Sequence, residues 1–434
     1  MNPSPWSLMS GWLPAVLLTA GLVSLAALVV RPARRWWLRT LPLVLLGCVI
    51  VLVLAKIVIE QVWRPFPDPL PTQVLAWTGL GILGLCLAGI RLRSAVWSRR
   101  VCFVVAALVL VVLASNEVNR FYGQYPTVGS VLGEPPANEV SAVRLTPTVV
   151  ATVPPKAGGP LAATWRAPAG MPARGVVAQV TIPSPASGFK ARPGWVYVPP
   201  AYLTSPRPVL PVLVLLTGQP GKPRDWLDAG RLTATMDGYA AAHAGLAPVV
   251  VVADSLGATM ANPLCLDSRL GNVQTYLTVD VPAWIGKNLQ VTPDRRKWTI
   301  GGLSSGGTCA LQIAVNAPTA YHNFIDISGQ EEPTLGSRAR TVKAAFGGDT
   351  AAFMKVNPLS VMARERRTGT SGLIIIGRDD AQYLPQARRV FAACQATGMR
   401  VHFRELPGKH SWPVWAAGFR ESLPWLGTLT GLTR

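Results

Sequence analysis

The sequence predicts an α/β domain, a mostly parallel central sheet flanked by helices, preceded by four membrane-spanning helices. Three observations carry that reading. Four apolar stretches fill the first 116 residues, each near the roughly 20 residues that cross a bilayer. From about residue 175, short apolar runs alternate with helix-like segments. Within that part, Gly302-Leu303-Ser304-Ser305-Gly306-Gly307 stands where one such run gives way to a helical one.

The apolar stretches cover 12–30, 40–59, 74–92 and 101–116, the last being the shortest. A cleavable signal peptide fits poorly, because the first eleven residues carry no basic residue and three more apolar stretches follow. Buried core helices would need polar faces that these segments lack. Arg31, Arg34, Arg35 and Arg39 fill the first loop, and Arg91, Arg93, Arg99 and Arg100 the third. The second loop, Glu60 to Gln73, is proline-rich and has only Arg64. Basic loops stay in the cytoplasm, so the N-terminus is expected outside and everything after about Asn116 is extracytoplasmic. Lys56 falls near the outer end of the second helix, where its stem can snorkel. The four helices read as an anchor, with no substrate pathway among them.

The formal net charge is +20, and only nine of the 41 basic residues are lysine. A basic domain held at a membrane is drawn to anionic headgroups. Nucleic acid is excluded as a partner, since basic and aromatic residues do not interleave. Usage rich in Arg, Ala, Pro and Gly points to a GC-rich bacterial genome, and so to a bacterial plasma membrane. Cys48, Cys86 and Cys102 fall in the apolar helices as small apolar residues. Cys265, Cys309 and Cys394 belong to the outer part, where one disulfide among them is open and the pair is not fixed by sequence. No spacing matches a metal site, and no metal or organic cofactor is expected.

The organisation is therefore 1–116 membrane anchor, 117–170 linker and 171–434 catalytic domain. The linker is rich in Pro, Gly, Ala and Thr, as in Glu134-Pro135-Pro136 and Gly158-Gly159-Pro160. Strands are expected at 175–183, 194–198, 209–217, 247–253, 297–301, 323–327, 372–377 and 400–406. Runs such as Val212–Leu216 and Val249–Val252 suit strands covered on both faces.

A serine between glycines at a strand-to-helix turn has its hydroxyl pushed above the sheet edge, facing the positive end of the following helix. Ser304 is the expected nucleophile. The chain has four histidines, so the choice of general base is short. His243 precedes a strand, His322 follows the nucleophile helix, and His402 lies inside a strand pattern. His410, in Pro407-Gly408-Lys409-His410-Ser411-Trp412 after the last strand, shares the carboxyl edge with Ser304. The acid should follow the penultimate strand, where Arg378-Asp379-Asp380 lies; Asp380 is preferred, with Asp379 capping or bridging to Arg378. Asp326 and Asp349 are weaker rivals. The oxyanion needs two N–H donors, expected from Ser305 and from Gln219 in Thr217-Gly218-Gln219-Pro220-Gly221; Pro220 has no N–H.

The chain resembles the esterase D branch of the α/β-hydrolases, which includes the mycobacterial mycolyltransferases. The resemblance rests on the elbow Gly302-Leu303-Ser304 and on Leu215-Leu216-Thr217-Gly218 leading to Asp225-Trp226. It rests also on Gln274–Thr278 through Pro282–Ile285, and on Gly408-Lys409-His410-Ser411-Trp412 leading to Trp415. It covers about residues 195–430. It implies a Ser/acid/His triad acting on carboxylic esters or thioesters through an acyl-enzyme, with Asp380 where mycolyltransferases carry a glutamate in a differently built loop. The expectation is a membrane-anchored serine esterase or acyltransferase working on cell-envelope lipid esters. Two alternatives stand beside it: an aminoacyl-phospholipid hydrolase, and a catalytically inactive envelope-binding protein.

Overall fold

The computed structural model describes residues 5–65, 68–93, 95–136, 138–142, 150–155 and 159–434. It divides into two compact units, Met1–Glu134 and Pro135–Arg434.

In the first unit, α1 (Trp12–Val29), α2 (Trp36–Trp63), α3 (Thr72–Leu92) and α4 (Trp97–Tyr122) are each long and apolar enough to cross a membrane. With lipid as apolar as leucine, packing here depends on small residues that let backbones approach. A Cβ at Gly21 of α1 would run into the Leu113 side chain of α4, and one at Gly84 of α3 would sit 2.7 Å from Leu110. Leu28, Leu87 and Leu110 form the fully buried centre. Lys56 meets Glu60, whose carboxylate also accepts from the Leu70 amide at 2.8 Å, a partner in place of snorkelling alone. The fourth helix outruns its apolar stretch by a turn and a half. It buries Asn116 and Glu117, and Arg120 pairs with Glu117 at 2.8 Å.

Much of the 117–170 segment expected as a linker is structured. Thr152–Val153 pairs in parallel with Arg207–Pro208. Leu161 and Trp165 are buried, and the amides of Leu161 and Ala162 donate to the carbonyls of Gly431 and Leu432 at 2.8 and 3.0 Å. The reason is that a few large apolar side chains in a polar stretch are enough to dock it. Residues 143–149 and 156–158 of that segment lie outside the described residues.

The second unit holds an eight-stranded sheet. Its strands are β1 (Val176–Val180), β2 (Gly194–Val198), β3 (Val212–Leu216), β4 (Val249–Val252), β5 (Trp298–Leu303), β6 (Asn323–Ile327), β7 (Ser371–Gly377) and β8 (Arg400–Leu406). They lie in the order β8-β7-β6-β5-β3-β4-β2-β1. Only β2 runs against its neighbours; every other pairing is parallel. The eight strands fall where the apolar runs placed them. Those runs are buried throughout β3 and β4, as strands covered on both faces must be. Helices α5 (Ser305–Asn316), α6 (Leu384–Ala396) and α7 (Trp412–Leu429) follow β5, β7 and β8. Because β3, β5, β7 and β8 are parallel, the loops after them gather at one carboxyl edge.

Candidate active site

Ser304 follows β5 with φ 52° and ψ −122°, a region that side-chain-bearing residues avoid, at a strain of roughly 1–3 kcal/mol. The turn is held from both sides: the Ser304 amide donates to Ile327 O at 2.8 Å, and Thr308 N donates to Ser304 O at 3.0 Å. A Cβ at Gly302 would run into the Gly306 backbone, and one at Gly306 would stand 2.5 Å from Thr217 O. Glycine at both positions lets α5 start this close to the sheet.

The histidine loop reaches this serine. His410 Nε2 is 3.0 Å from Ser304 Oγ, and His410 Nδ1 is 2.8 Å from Asp380 Oδ2. Asp380 is buried, and its other oxygen accepts from the Tyr383 amide at 3.1 Å. The rings of Tyr383 and Trp415 pack against the imidazole with centroids 4.7 and 5.0 Å away. Asp379 does something else. Its Oδ2 accepts from Gly408 N at 3.2 Å while its own amide donates to Gly408 O at 2.9 Å, so it latches the histidine loop instead of bridging to Arg378.

The loop after β3 lies against the serine. A Cβ at Gly218 would come 3.0 Å from Ser304 Cβ, so the residue beside the nucleophile must lack one. Gln219 follows, its side chain fixed between Met260 O at 2.8 Å and Asn262 Nδ2 at 3.1 Å. Ser305 opens α5, so its amide has no acceptor within the helix.

The other titratable candidates sit elsewhere. His243 meets Tyr239 O at 2.7 Å, His402 packs edge-on to Trp425, and Asp349 caps a helix through Ala352 N. His322 lies before β6 and takes part through its backbone, accepting from Ser371 N. Asp326 lies under α5, against Gly307, and accepts from Gly329 N at 2.8 Å. Burial pushes its carboxyl up to about 7, the Gly329 hydrogen bond opposing this. A folded-state value raised above the unfolded one means stability is fully present below about pH 4 and is lost as pH rises through about 7. Asp326→Asn, which keeps the acceptor without the charge, should raise Tm most at pH 8.5, less at pH 5 and hardly at all at pH 3.5, as thermal melts at the three pH values will read.

Of two further features, the first had no signal in the sequence and the second was left open there as one of three cysteine pairings. Asp254, fully buried after β4, takes Arg192 in a two-pronged ion pair at 2.7 and 3.0 Å. It also accepts from the amides of Arg192, Leu256 and Gly257. Cys265 and Cys309 are disulfide-bonded across 44 residues, joining the loop before residue 266 to the second turn of α5, while Cys394 stays free and buried, its thiol pushed up to about 12 by that burial. Closing so long a loop stabilises a fold by about 2–4 kcal/mol, so the Cys265→Ala/Cys309→Ala pair should melt several degrees lower, and reductant should lower the wild-type melt alike. Among the described residues, no group of three or more His, Cys, Asp or Glu could hold a metal ion.

This strand order, with a strained serine at the turn after β5, defines an enzyme of the α/β-hydrolase fold. Residues 190–426, more than half of the chain, match the model of the Esterase family, and the chain belongs to that family. It is 37% identical over 385 residues to an uncharacterised protein of Corynebacterium glutamicum, covering 87% of each. Among solved structures it is similar to a ferulic acid esterase (19% identity, TM-score 0.51, 60% of this chain and all of that one). It is similar also to an S-formylglutathione hydrolase from Agrobacterium tumefaciens (20% identity, TM-score 0.50, 60% of this chain and 97% of that one). At these identities the two structures speak to fold.

Proposed function

We propose that the protein is a membrane-anchored, extracytoplasmic serine esterase or acyltransferase that acts on carboxylic esters of cell-envelope lipids. The observation that carries the reading is the imidazole of His410 lying between Ser304 Oγ and Asp380 Oδ2 at 3.0 and 2.8 Å. With Nδ1–H given to Asp380, Nε2 is free to accept the serine proton. Ser304 Oγ then attacks the ester carbonyl, and the amides of Ser305 and Gln219 receive the oxyanion. His410 returns the proton to the leaving alcohol, and an acyl-enzyme remains. Water or a second alcohol, deprotonated by the same imidazole, takes the acyl group away.

The orientation rests on the eight arginines of the first and third loops, which belong in the cytoplasm of a bacterial plasma membrane. The Cys265–Cys309 disulfide supports an oxidising compartment for the hydrolase unit. In this reading residues 1–116 anchor, 117–170 connect and 171–434 catalyse. An anchored enzyme meets substrates resident in the same membrane, and the basic surface favours anionic lipids.

A fluorophosphonate probe should label the full-length protein in detergent, and Ser304→Ala should abolish the label. A wild-type chain that stays unlabelled would instead be the inactive binding protein. Alkaline phosphatase fused after Arg434 should be active, and fused in the Arg31–Arg39 loop inactive; the reverse pattern would overturn the orientation.

A further inference from the structure

We propose that Asn262 is a positioning residue for ester cleavage. With the strut of chain from Asn262 to Cys265, it fixes the Gln219 amide relative to the Ser305 amide, so that both meet one oxyanion. The proposal rests on the esterase reading and deepens it.

An oxyanion hole depends on spacing. Two amides must each come within about 2.7–3.1 Å of the same oxygen, and a donor displaced from that range is lost to the transition state. Ser305 is the first residue of α5, a helix buried along nearly its whole length, so packing against the sheet places its amide. Gln219 lies where the sheet no longer helps. β3 ends at Leu216, whose partner is Gly302, and the chain runs on through Thr217-Gly218-Gln219 beyond the ladder.

The loop after β4 takes over there. Gly221 donates its amide to Thr259 O at 3.1 Å. Gln219 gives its side-chain nitrogen to Met260 O at 2.8 Å, and its side-chain oxygen accepts from Asn262 Nδ2 at 3.1 Å. Asn262 Nδ2 also donates to Thr334 O at 3.2 Å, and its Oδ1 accepts from Leu264 N at 3.1 Å. One side chain thus joins the loops after β3, β4 and β6. Just beyond it, Leu264 O accepts from Gln312 Nε2 at 3.0 Å and Cys265 is bonded to Cys309, both partners on α5. The strut therefore holds the Gln219 loop at one end and the helix that presents Ser305 at the other. Its footing is Asp254, which the Arg192 guanidinium grips at 2.7 and 3.0 Å while its third nitrogen donates to Thr259 Oγ1 at 3.3 Å.

These contacts are all within the protein, so the role of Asn262 is geometric. Losing an oxyanion donor outright lowers kcat by about 10²–10³-fold, and loosening one should forfeit part of that. Weakened packing alone would act differently. It would leave fewer folded molecules, and every substrate would slow by the same factor.

The test compares 4-nitrophenyl acetate with the thionoacetate, in which sulfur replaces the carbonyl oxygen, on the full-length protein in detergent. Sulfur is larger and a poorer acceptor, so amides fixed for oxygen discriminate against it. Asn262→Leu removes every polar contact of the side chain, and Asn262→Asp keeps the acceptor for Leu264 but loses the donor to Gln219. Each should lower kcat on the acetate by about 10–100-fold with KM within about twofold of wild type. Each should also shrink the acetate-to-thionoacetate ratio of kcat/KM by about tenfold. A wild-type ratio near one, or a wild-type ratio kept by both variants whatever their melting temperatures, overturns the positioning role alone, provided the wild type labels with fluorophosphonate. A wild type that does not label overturns the esterase reading and this one with it.

Discussion

Ser304→Ala should lower ester turnover by about 10⁴-fold or more, because the remaining oxyanion donors and binding contacts would not replace a covalent nucleophile. Active-site titration combined with steady-state kinetics on a 4-methylumbelliferyl ester will read this. Retained turnover within tenfold of wild type would remove Ser304 from the mechanism. The fold should survive the change, since alanine inherits the same φ of 52° and replaces only the oxygen. Ser304→Gly offers an independent reading of the strained turn. Glycine accepts positive φ without penalty, so this variant should be as inactive as Ser304→Ala yet melt at a higher temperature. An equal or lower melt for the glycine variant would mean that the turn stores no strain.

Asp380→Asn should lower kcat by about 10⁴-fold with little change in stability, because an asparagine amide facing His410 Nδ1 holds the ring in the wrong tautomer. Asp379→Asn provides the contrast. Among the described residues its carboxylate accepts from the Gly408 amide alone, so the neutral variant keeps an acceptor there and should lose tenfold or less. Kinetics across pH separate the two further: the Asp379 variant should keep the wild-type profile, while the Asp380 variant should gain activity as hydroxide takes over the base's work at high pH. Two variants impaired alike would mean that the acid had been assigned to the wrong carboxylate.

The adjacent pair shows how far the sequence could be read. A strand ending at Gly377 followed by two aspartates placed an acid within reach of His410, but nothing in Asp379-Asp380 says which side chain turns inward. That choice is made by two backbone hydrogen bonds, one from Asp380 to Gly377 O within the turn and one from Asp379 to Gly408 O, between loops 29 residues apart. Local signals behaved well. The glycines around Ser304 are needed within one turn, and the valine runs of β3 and β4 needed only their own burial. Long-range pairings left no trace. Arg192–Asp254 spans 62 residues, and three outer cysteines allowed three pairings before Cys265–Cys309 emerged from packing. The segment before residue 170 failed in the other direction. Its proline- and glycine-rich composition spoke for a free tether, and two buried side chains, Leu161 and Trp165, outweighed that composition.

The stitching of Leu161 and Ala162 to Gly431 and Leu432 carries a consequence for how the unit holds together. The stretch leading into β1 and the stretch following α7 are therefore neighbours, so the hydrolase unit is closed on itself like a clasped ring. A cut in either stretch would loosen both ends of that ring at once.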